Sequence, residues 1–296
     1  MLKKTSEHRL AFMIVILGVI LTGGASVYVK LGLKDMPPFT FTFIRFFLAL
    51  VFFIPLILKT KFKINKDSIP VFLISLLSTL NIILFSFGIR LTSASIGQLI
   101  YALVPILSVI ISHYLLNEKI TWKKILGILL GFVGMGVIII PAISNLNTGN
   151  STGLLGNGLI FIGAVSYTFY TILSKKIQKK HSPIYITTAF FITTMLVSFC
   201  FSVIEIFAIK NFAALFTPNS LWSLFYVSFF ASAVAYLLGQ YAIKFGTPLI
   251  ASLTLYLLPI LTVIWAFFIL GEVANSQFII GGTFALVGAW LVSSSK

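Results

Sequence analysis

The residues that could do chemistry in this sequence are hydroxyls, amides and tyrosine rings at helical spacing inside apolar runs. Ser232, Tyr236 and Gln240, for example, follow one another at steps of four, which places them along one helix face. Such groups bind a small organic ligand by hydrogen bonds and ring stacking, so the pattern predicts a polar cavity between helices. A polar seam without a ligand is the alternative interpretation. The predicted binding residues are the stacking tyrosines Tyr101, Tyr167, Tyr170, Tyr236 and Tyr256 and the hydrogen-bonding side chains Asn81, Gln98, Ser232 and Gln240.

Residues for catalysis or for a metal site are not grouped in the sequence. The six acidic residues fall at the ends of apolar runs or between them, so none is placed for proton transfer inside a run. Cys200 is the single cysteine, which excludes an internal disulfide and a cysteine metal cluster. The sequence has neither a phosphate-binding glycine loop nor a Ser/His/Asp grouping. We therefore predict no enzyme activity, no catalytic residue, no metal site and no cofactor.

Two prolines and an arginine interrupt the apolar runs. Pro105 and Pro259 each remove a backbone donor in mid-helix, which predicts a kink or a hinge at both positions. Arg45 lies inside a run, where a guanidinium needs polar partners, and Asp35 is a nearby carboxylate on the same side. Arg45 is a candidate for a structural or a gating charge.

A polar stripe also runs along the first apolar stretch. Thr22, Ser26 and Lys30 are spaced at steps of four, so their side chains face protein or water. Lys30 ends this stretch, and it is either a lysine reaching the membrane interface or a second candidate for a structural or gating charge.

The elements that must position these residues are long apolar helices. Of the 296 residues 59% are hydrophobic and only 9% are charged, and the mean hydropathy is +1.09. These values are typical of an integral membrane protein and not of a water-soluble domain. Runs long enough to cross a bilayer as helices fall at about 10–31, 39–58, 69–90, 93–116, 122–140, 153–174, 183–209, 220–243, 248–270 and 276–293. We predict an all-α integral membrane protein with ten transmembrane helices.

The net charge of +15 is explained by the membrane. With the N-terminus in the cytoplasm, lysines cluster in the cytoplasmic loops, as at 59–66 and 175–180, and are few on the outer side. Cytoplasmic loops of membrane proteins carry such an excess of Lys and Arg. We therefore predict a multi-pass protein of the cytoplasmic membrane with both termini in the cytoplasm, and no nucleic-acid partner.

The chain contains an internal repeat. Residues 103–118 and 257–272 are identical at half of their positions, and small residues follow both copies at steps of four and three. These are Gly127, Gly131 and Gly134 after the first copy and Gly281, Ala285 and Gly288 after the second. Helices with such faces pack closely in lipid. Because each copy holds five predicted helices, the second enters from the opposite side, so the predicted fold is two inverted five-helix repeats, 1–145 and 146–296.

Short motifs of the first half point to a family. They are KLGL at 30–33, PPF at 37–39 and RFFLA at 45–49, followed by residues 94–105, Glu118 and the glycines after it. This set resembles the two half-motifs of the EamA family in the drug/metabolite transporter superfamily, and the second half of the chain repeats both more loosely. Phe190 stands at the position that matches Arg45 in the second copy, so the role of Arg45 is not duplicated.

The resemblance implies a secondary transporter that moves small organic metabolites, such as amino acids or similar amphiphiles, by alternating access. Export is expected because the family includes exporters. A nucleotide-sugar or phosphorylated-metabolite exchanger is the alternative within transport, but it needs several basic residues facing the cavity, whereas the core offers only Arg45. A non-transporting interaction or scaffold protein is the alternative of another class. The expected partners are a small-molecule substrate and the lipid bilayer, and the sequence leaves the oligomeric state open, a homodimer included.

Overall fold

The computed structural model describes residues 13–14, 16–60, 62–116, 120–144, 152–209, 211–246 and 254–294, and none of these residues lies in a β-strand. Each predicted apolar run contains a helix, and we number the helices in chain order. They are α1 (Ile16–Gly32), α2 (Pro38–Lys59), α3 (Ile69–Leu91), α4 (Ala94–Tyr101 and Val104–Leu116), α5 (Trp122–Ser144), α6 (Thr152–Ile177), α7 (Pro183–Phe207), α8 (Pro218–Tyr226, Val227–Val234 and Ala235–Phe245), α9 (Thr254–Leu270) and α10 (Ser276–Ser294).

Several of these helices have the length and apolar composition of membrane-spanning helices. Six stretches of the described residues are long and apolar enough to cross it: Pro38–Lys59, Lys66–Leu91, Ala94–Leu115, Thr152–Ile177, Pro183–Phe207 and Pro218–Phe245. Shorter apolar helices are Ile16–Gly32, Leu258–Leu270 and Ser276–Val292. Large apolar side chains such as Leu58, Phe207 and Phe268 are exposed on the bundle, as contact with lipid requires. The structure therefore indicates an all-helical multi-pass membrane protein, while ten crossings in inverted order stay a prediction.

The helices of the two halves pack against each other in pairs. Helix α2 lies along α7, α3 along α6, and α5 along α10, while α4 packs on α9 and α1 on α8. The α2–α7 seam is aromatic: Phe46 meets Phe190 and Phe191 edge to face, at ring-centroid distances of 5.3 and 5.5 Å. All three rings are fully buried, so this contact holds the two halves together through apolar burial.

Two carboxylates of the second half cap helices of the first half. Glu205 accepts hydrogen bonds from the backbone N–H groups of Phe39 (3.1 Å) and Thr40 (2.7 Å) at the start of α2. Glu272 accepts from the backbone N–H groups of Ala94 (3.0 Å) and Ser95 (3.3 Å) at the start of α4. The first N–H groups of a helix have no partner inside it, and the helix dipole favours an anion there. These caps therefore fix the starts of the two helices that carry Arg45 and Tyr101.

Helix α4 is interrupted one turn before Pro105. Ala102 and Leu103 donate to carbonyls three residues earlier, at 3.0 and 3.1 Å, and the regular helix resumes at Val104. Proline has no N–H and pushes aside the carbonyl four residues before it, so the break has a local cause. The interruption lies beside Pro105, where a kink or hinge stays a prediction, whereas Pro259 lies inside α9 without such an interruption in the described residues.

Helix α8 contains a wide, π-helical segment at Val227–Val234. Such segments are rare in proteins and occur often at functional sites. The Ser232 hydroxyl donates to the carbonyl of Val227, five residues earlier, at 2.8 Å. The segment changes which side chains of α8 share a face, because the turn holds more residues than an α-helical turn.

Glycines bring the backbones of α5 and α10 into contact, as their spacing predicts. A Cβ added at Gly127 would overlap the carbonyl oxygen of Gly288, and one at Gly134 would overlap the carbonyl oxygen of Gly281. No larger residue fits at either position without moving a helix. The pair α5–α10 thus forms a tightly packed seam between the two halves.

Gly127→Ala should destabilise this seam. The added methyl group meets backbone atoms, and overpacking of this kind costs about 1–3 kcal/mol. Gly158→Ala is the matched control, because a Cβ at Gly158 meets nothing within 4 Å and alanine favours a helix. We expect a lower unfolding temperature in detergent for Gly127→Ala alone, and equal unfolding temperatures would contradict the close approach of α5 and α10.

Candidate functional site

A cavity of about 170 Å³ lies between the halves. Its walls come from α1, α2, α3, α4, α6, α8 and α9. An apolar cavity of about 150 Å³ can hold a molecule the size of benzene, so this one has room for a small organic ligand. Most concave binding sites combine an apolar wall with a few polar groups, and this wall has that composition.

Five of the predicted binding residues line this cavity: Asn81, Gln98, Tyr101, Tyr167 and Tyr236. The Tyr101 hydroxyl donates to the side-chain oxygen of Asn81, which ties α4 to α3. The rings of Tyr101 and Tyr167 are 6.4 Å apart between centroids. For Gln98 the described residues supply no hydrogen-bond partner, so its amide is available to a ligand. The structure thus brings these five side chains, from four helices, to one space.

Three other predicted residues do not line the cavity. The Gln240 amide nitrogen donates to the Tyr170 hydroxyl at 3.0 Å, and its amide oxygen accepts from Gln178 at 2.7 Å. Ser232 bonds Arg45 and the backbone of its own helix. These groups satisfy one another within the protein, and their contact with a ligand stays a prediction. The side chain of Tyr256, the ninth predicted residue, lies outside the described part of the chain.

Arg45 lines the cavity and is bonded to Ser232. It is 5% exposed, its Nε donates to Ser232 Oγ at 2.8 Å, and its guanidinium carbon lies 5.0 Å from the centre of the Phe46 ring. Asp35, the carboxylate that the sequence places nearby, instead accepts from the Thr217 hydroxyl at 2.6 Å. No carboxylate among the described residues pairs with Arg45, and none of these residues bonds its two terminal nitrogens.

The sequence missed part of the cavity wall. Thr22 and Ser26 line it from α1, and their step of four was the signal that could have identified them. Ile82, Phe85 and Leu258 also line it, but apolar residues in an apolar helix carry no such signal. Only the neighbours of a helix decide which of its apolar residues meet a cavity.

One end of the bundle is held by a clasp between Lys30 and Glu272. The Lys30 ammonium donates to Glu272 Oε1 at 2.8 Å and to the carbonyl of Thr92 at 2.8 Å. Burial alone would raise the pKa of Glu272, but the hydrogen bonds from Lys30, Ala94 and Ser95 outweigh it and lower this pKa. The carboxylate is therefore ionised at neutral pH, and its stabilising contribution is lost only in acid, as the pH falls through that lowered pKa.

The cavity extends away from the Lys30–Glu272 clasp. Its wall includes Ile14 and Gly18, which precede Lys30 along α1 by several turns, and Gly239 near the end of α8. At this opposite end the Lys175 ammonium donates to the carbonyls of Ile243 (2.6 Å) and Gly246 (2.8 Å), where α8 ends. A lysine thus ties α1 to the end of α3 on one side, and another ties α6 to the end of α8 on the other.

Comparison with known proteins finds matches along both halves of the chain. The model of the EamA-like transporter family matches residues 9–140 and again residues 154–294. A protein of Archaeoglobus fulgidus, named an uncharacterized transporter, is 25% identical over 289 residues, which covers 95% of this chain and 96% of the relative. An uncharacterized transporter of Bacillus subtilis is also 25% identical, over 94% of this chain and 96% of its own length.

Two further matches extend the comparison. A WAT1-related chloroplast protein of Arabidopsis thaliana is 27% identical over 209 residues, which covers 70% of this chain and 50% of the plant protein. A crystal structure with 16% sequence identity superposes with a TM-score of 0.71 and covers 96% of both chains. At that identity the crystal structure shows a shared fold and nothing about the ligand.

Ser232→Ala and Ser228→Ala should differ in stability. Both hydroxyls are fully buried in the π-helical segment, but only Ser232 is bonded to Arg45, whereas Ser228 has no hydrogen-bond partner among the described residues. Loss of the Ser232 hydroxyl leaves a charged donor without a partner and should cost about 1–3 kcal/mol, while loss of the Ser228 hydroxyl should be neutral or stabilising. Thermal unfolding in detergent measures both, and equal effects would refute the bond to Arg45.

Proposed function

The chain belongs to the EamA-like transporter family, and from that premise we propose that it is a secondary transporter of small organic metabolites, amino acids or similar amphiphiles. It moves them across the cytoplasmic membrane by alternating access, in the direction of export. The observation that carries this proposal is the polar cavity between the halves, which is bounded by the Lys30–Glu272 clasp at one end of the bundle. Substrate sites of secondary transporters lie at such interfaces near mid-membrane.

The proposal includes ten crossings arranged as inverted repeats, 1–145 and 146–296. The packing supports it, because exchange of the halves turns each main helix pair into itself or into another observed pair. The pairs α2–α7, α4–α9 and α5–α10 map onto themselves, and α3–α6 maps onto α8–α1. The family model matches each half separately, which also agrees with a duplication. Two related halves can rock about the site between them.

The excess of lysine in the loops supports a cytoplasmic position of both termini. In that orientation the Lys30–Glu272 clasp closes the outer end, and the cavity extends toward the cytoplasm. The break before Pro105 and the π-helical segment of α8 are the places where central helices can bend, and Pro259 occupies the position that matches Pro105. The α5–α10 seam stays rigid.

The two alternative functions, a nucleotide-sugar exchanger and a non-transporting scaffold protein, account for fewer of these features. A nucleotide-sugar exchanger needs several cations around its substrate, and of the described wall residues only Arg45 is charged, in a cavity of about 170 Å³. A scaffold protein has no need of a buried cavity with an unpaired guanidinium. Transport of a small molecule explains both the cavity and an arginine in its wall that has no carboxylate partner among the described residues.

Transport itself is tested in proteoliposomes with labelled amino acids and organic acids in a counterflow assay. Gly239→Trp is the decisive variant, because Gly239 lines the cavity and a Cβ there meets nothing within 4 Å. The indole should fill the cavity without disturbing the fold and should abolish transport at unchanged unfolding temperature. Gly158→Trp, with the same open surroundings but on the lipid-exposed face of α6, should transport like wild type. Full activity of Gly239→Trp, or no transport by wild type, would reject the proposal.

The clasp is tested by the accessibility of the cavity from outside. In a Cys200→Ser background, Ser26→Cys places a thiol on the cavity wall. Glu272→Gln weakens the bond to Lys30, so an impermeant thiol reagent added outside should react about tenfold faster, which corresponds to ~1.4 kcal/mol. Glu205→Gln weakens an equivalent helix cap away from the cavity and should leave the rate unchanged. An unchanged rate in Glu272→Gln would show that the clasp does not close the outer side.

A further inference from the structure

The charge of Arg45 has no counterion among the described residues. A guanidinium that is 5% exposed, about two turns into a membrane helix, loses several kcal/mol of hydration that nearby groups must replace. Ser232 replaces part of it through Nε. Among the described residues no group bonds the terminal nitrogens, and Arg45 lines the cavity. A ligand in the cavity can therefore reach the unsatisfied edge of this side chain.

The acids of the described residues are engaged elsewhere or lie at the surface. Asp35 accepts from Thr217, Glu205 caps α2, and Glu272 caps α4 and pairs with Lys30. Asp67 lies in an exposed turn before α3. None of them lines the cavity. The described wall therefore carries one positive charge and no negative charge.

Packing alone does not require an arginine at this position. Phe190 lies as far from the start of α7 at Pro183 as Arg45 lies from the start of α2 at Pro38, and its ring is fully buried and packs edge to face on Phe46. An apolar ring thus suits the same place in the other half. Helix packing therefore does not explain why α2 carries the cation Arg45 at this position.

We propose that Arg45 binds the carboxylate of a small monocarboxylic acid, and this assignment rests on the transport function proposed above. A guanidinium presents parallel N–H donors that match a carboxylate, and such bonds are stronger than those between neutral groups. Gln98, also without a partner among the described residues, lies on the same wall and supplies a second donor. The rings of Tyr101, Tyr167 and Tyr236 contact the apolar body of the acid.

The charge of the wall selects a monoanion over related ligands. A single carboxylate neutralises Arg45, whereas a phosphate or phosphonate dianion brings a second charge that no described wall residue pairs. A zwitterion brings an ammonium group, for which the described wall offers tyrosine rings, hydroxyls and the amide oxygens of Asn81 and Gln98 but no carboxylate. The preferred substrate class is therefore a monocarboxylate with an uncharged body, ahead of amino acids.

Four ligands with one branched carbon skeleton test this assignment on the purified full-length protein in detergent. They are 3-methylbutanoate, its amide, valine and isobutylphosphonate, and dissociation constants follow from thermal stabilisation. On wild type the acid should bind at least about tenfold more tightly than the amide, since a hydrogen bond to a charged group is worth more than a neutral one. Valine and the phosphonate should bind more weakly than the acid.

Arg45→Gln should remove the preference for the acid over the amide and leave the affinity for the amide unchanged. Arg45→Lys keeps the charge without the planar donors and should fall between the two. The ligand series on wild type decides the matter even where a variant does not fold. Equal binding of acid and amide, no stabilisation by millimolar acid, tighter binding of valine or the phosphonate, or a preference retained in Arg45→Gln would each overturn the assignment.

The binding and transport experiments together distinguish failure of this inference from failure of the proposed transport function. If the acid binds through Arg45 but wild-type proteoliposomes move no solute, the binding assignment stands and the transport proposal fails. If proteoliposomes move other solutes through the Gly239-lined cavity and the acid binds no better than its amide, transport stands and the assignment fails.

Discussion

A polar group that these helices bury is costly unless it finds a partner inside the protein, because lipid offers none. Glu205 and Glu272 meet this constraint for the first turns of α2 and α4, and both acids come from the opposite half of the chain. The capping bonds therefore join the halves as well as completing two helices. Arg45 lies on α2, and Gln98 and Tyr101 lie on α4. The geometry of the cavity thus depends on two carboxylates that never touch it.

Tightly packed helices and helices with irregular hydrogen bonding lie in different parts of this bundle. Gly127 and Gly288 bring α5 and α10 into backbone contact at the back, where any shift produces a clash. The central helices differ, since α4 is interrupted at Ala102 and α8 contains the π-helical Val227–Val234. Helix segments with irregular bonding cost less to bend than regular ones, because fewer ladder bonds must break. The cavity lies where the irregular segments are, so a change of its shape needs no change of the seam.

The sequence predicted the helices well and the cavity only in part. Long apolar runs leave little choice of structure in a bilayer, so helix positions follow from composition. Helical spacing then identifies side chains that share a helix face. It does not identify the helix against which that face packs. Asn81 and Tyr101 therefore reach the cavity, whereas Tyr170 and Gln240, equally well spaced, bond each other. Ser26 was visible as part of a polar stripe but could not be assigned to a wall before its neighbours were known.

Arg45 also links ligand binding to movement under the proposed binding mode. Any step that closes the cavity on both sides removes water from the guanidinium, at a cost of several kcal/mol when no anion is present. A bound carboxylate neutralises the charge before the water leaves, so the loaded protein closes with less loss of free energy than the empty one. One side chain would then select the substrate and favour reorientation only when the substrate is bound. Phe190, which lies as far from the start of α7 as Arg45 does from the start of α2, adds no second charge that would require a second anion.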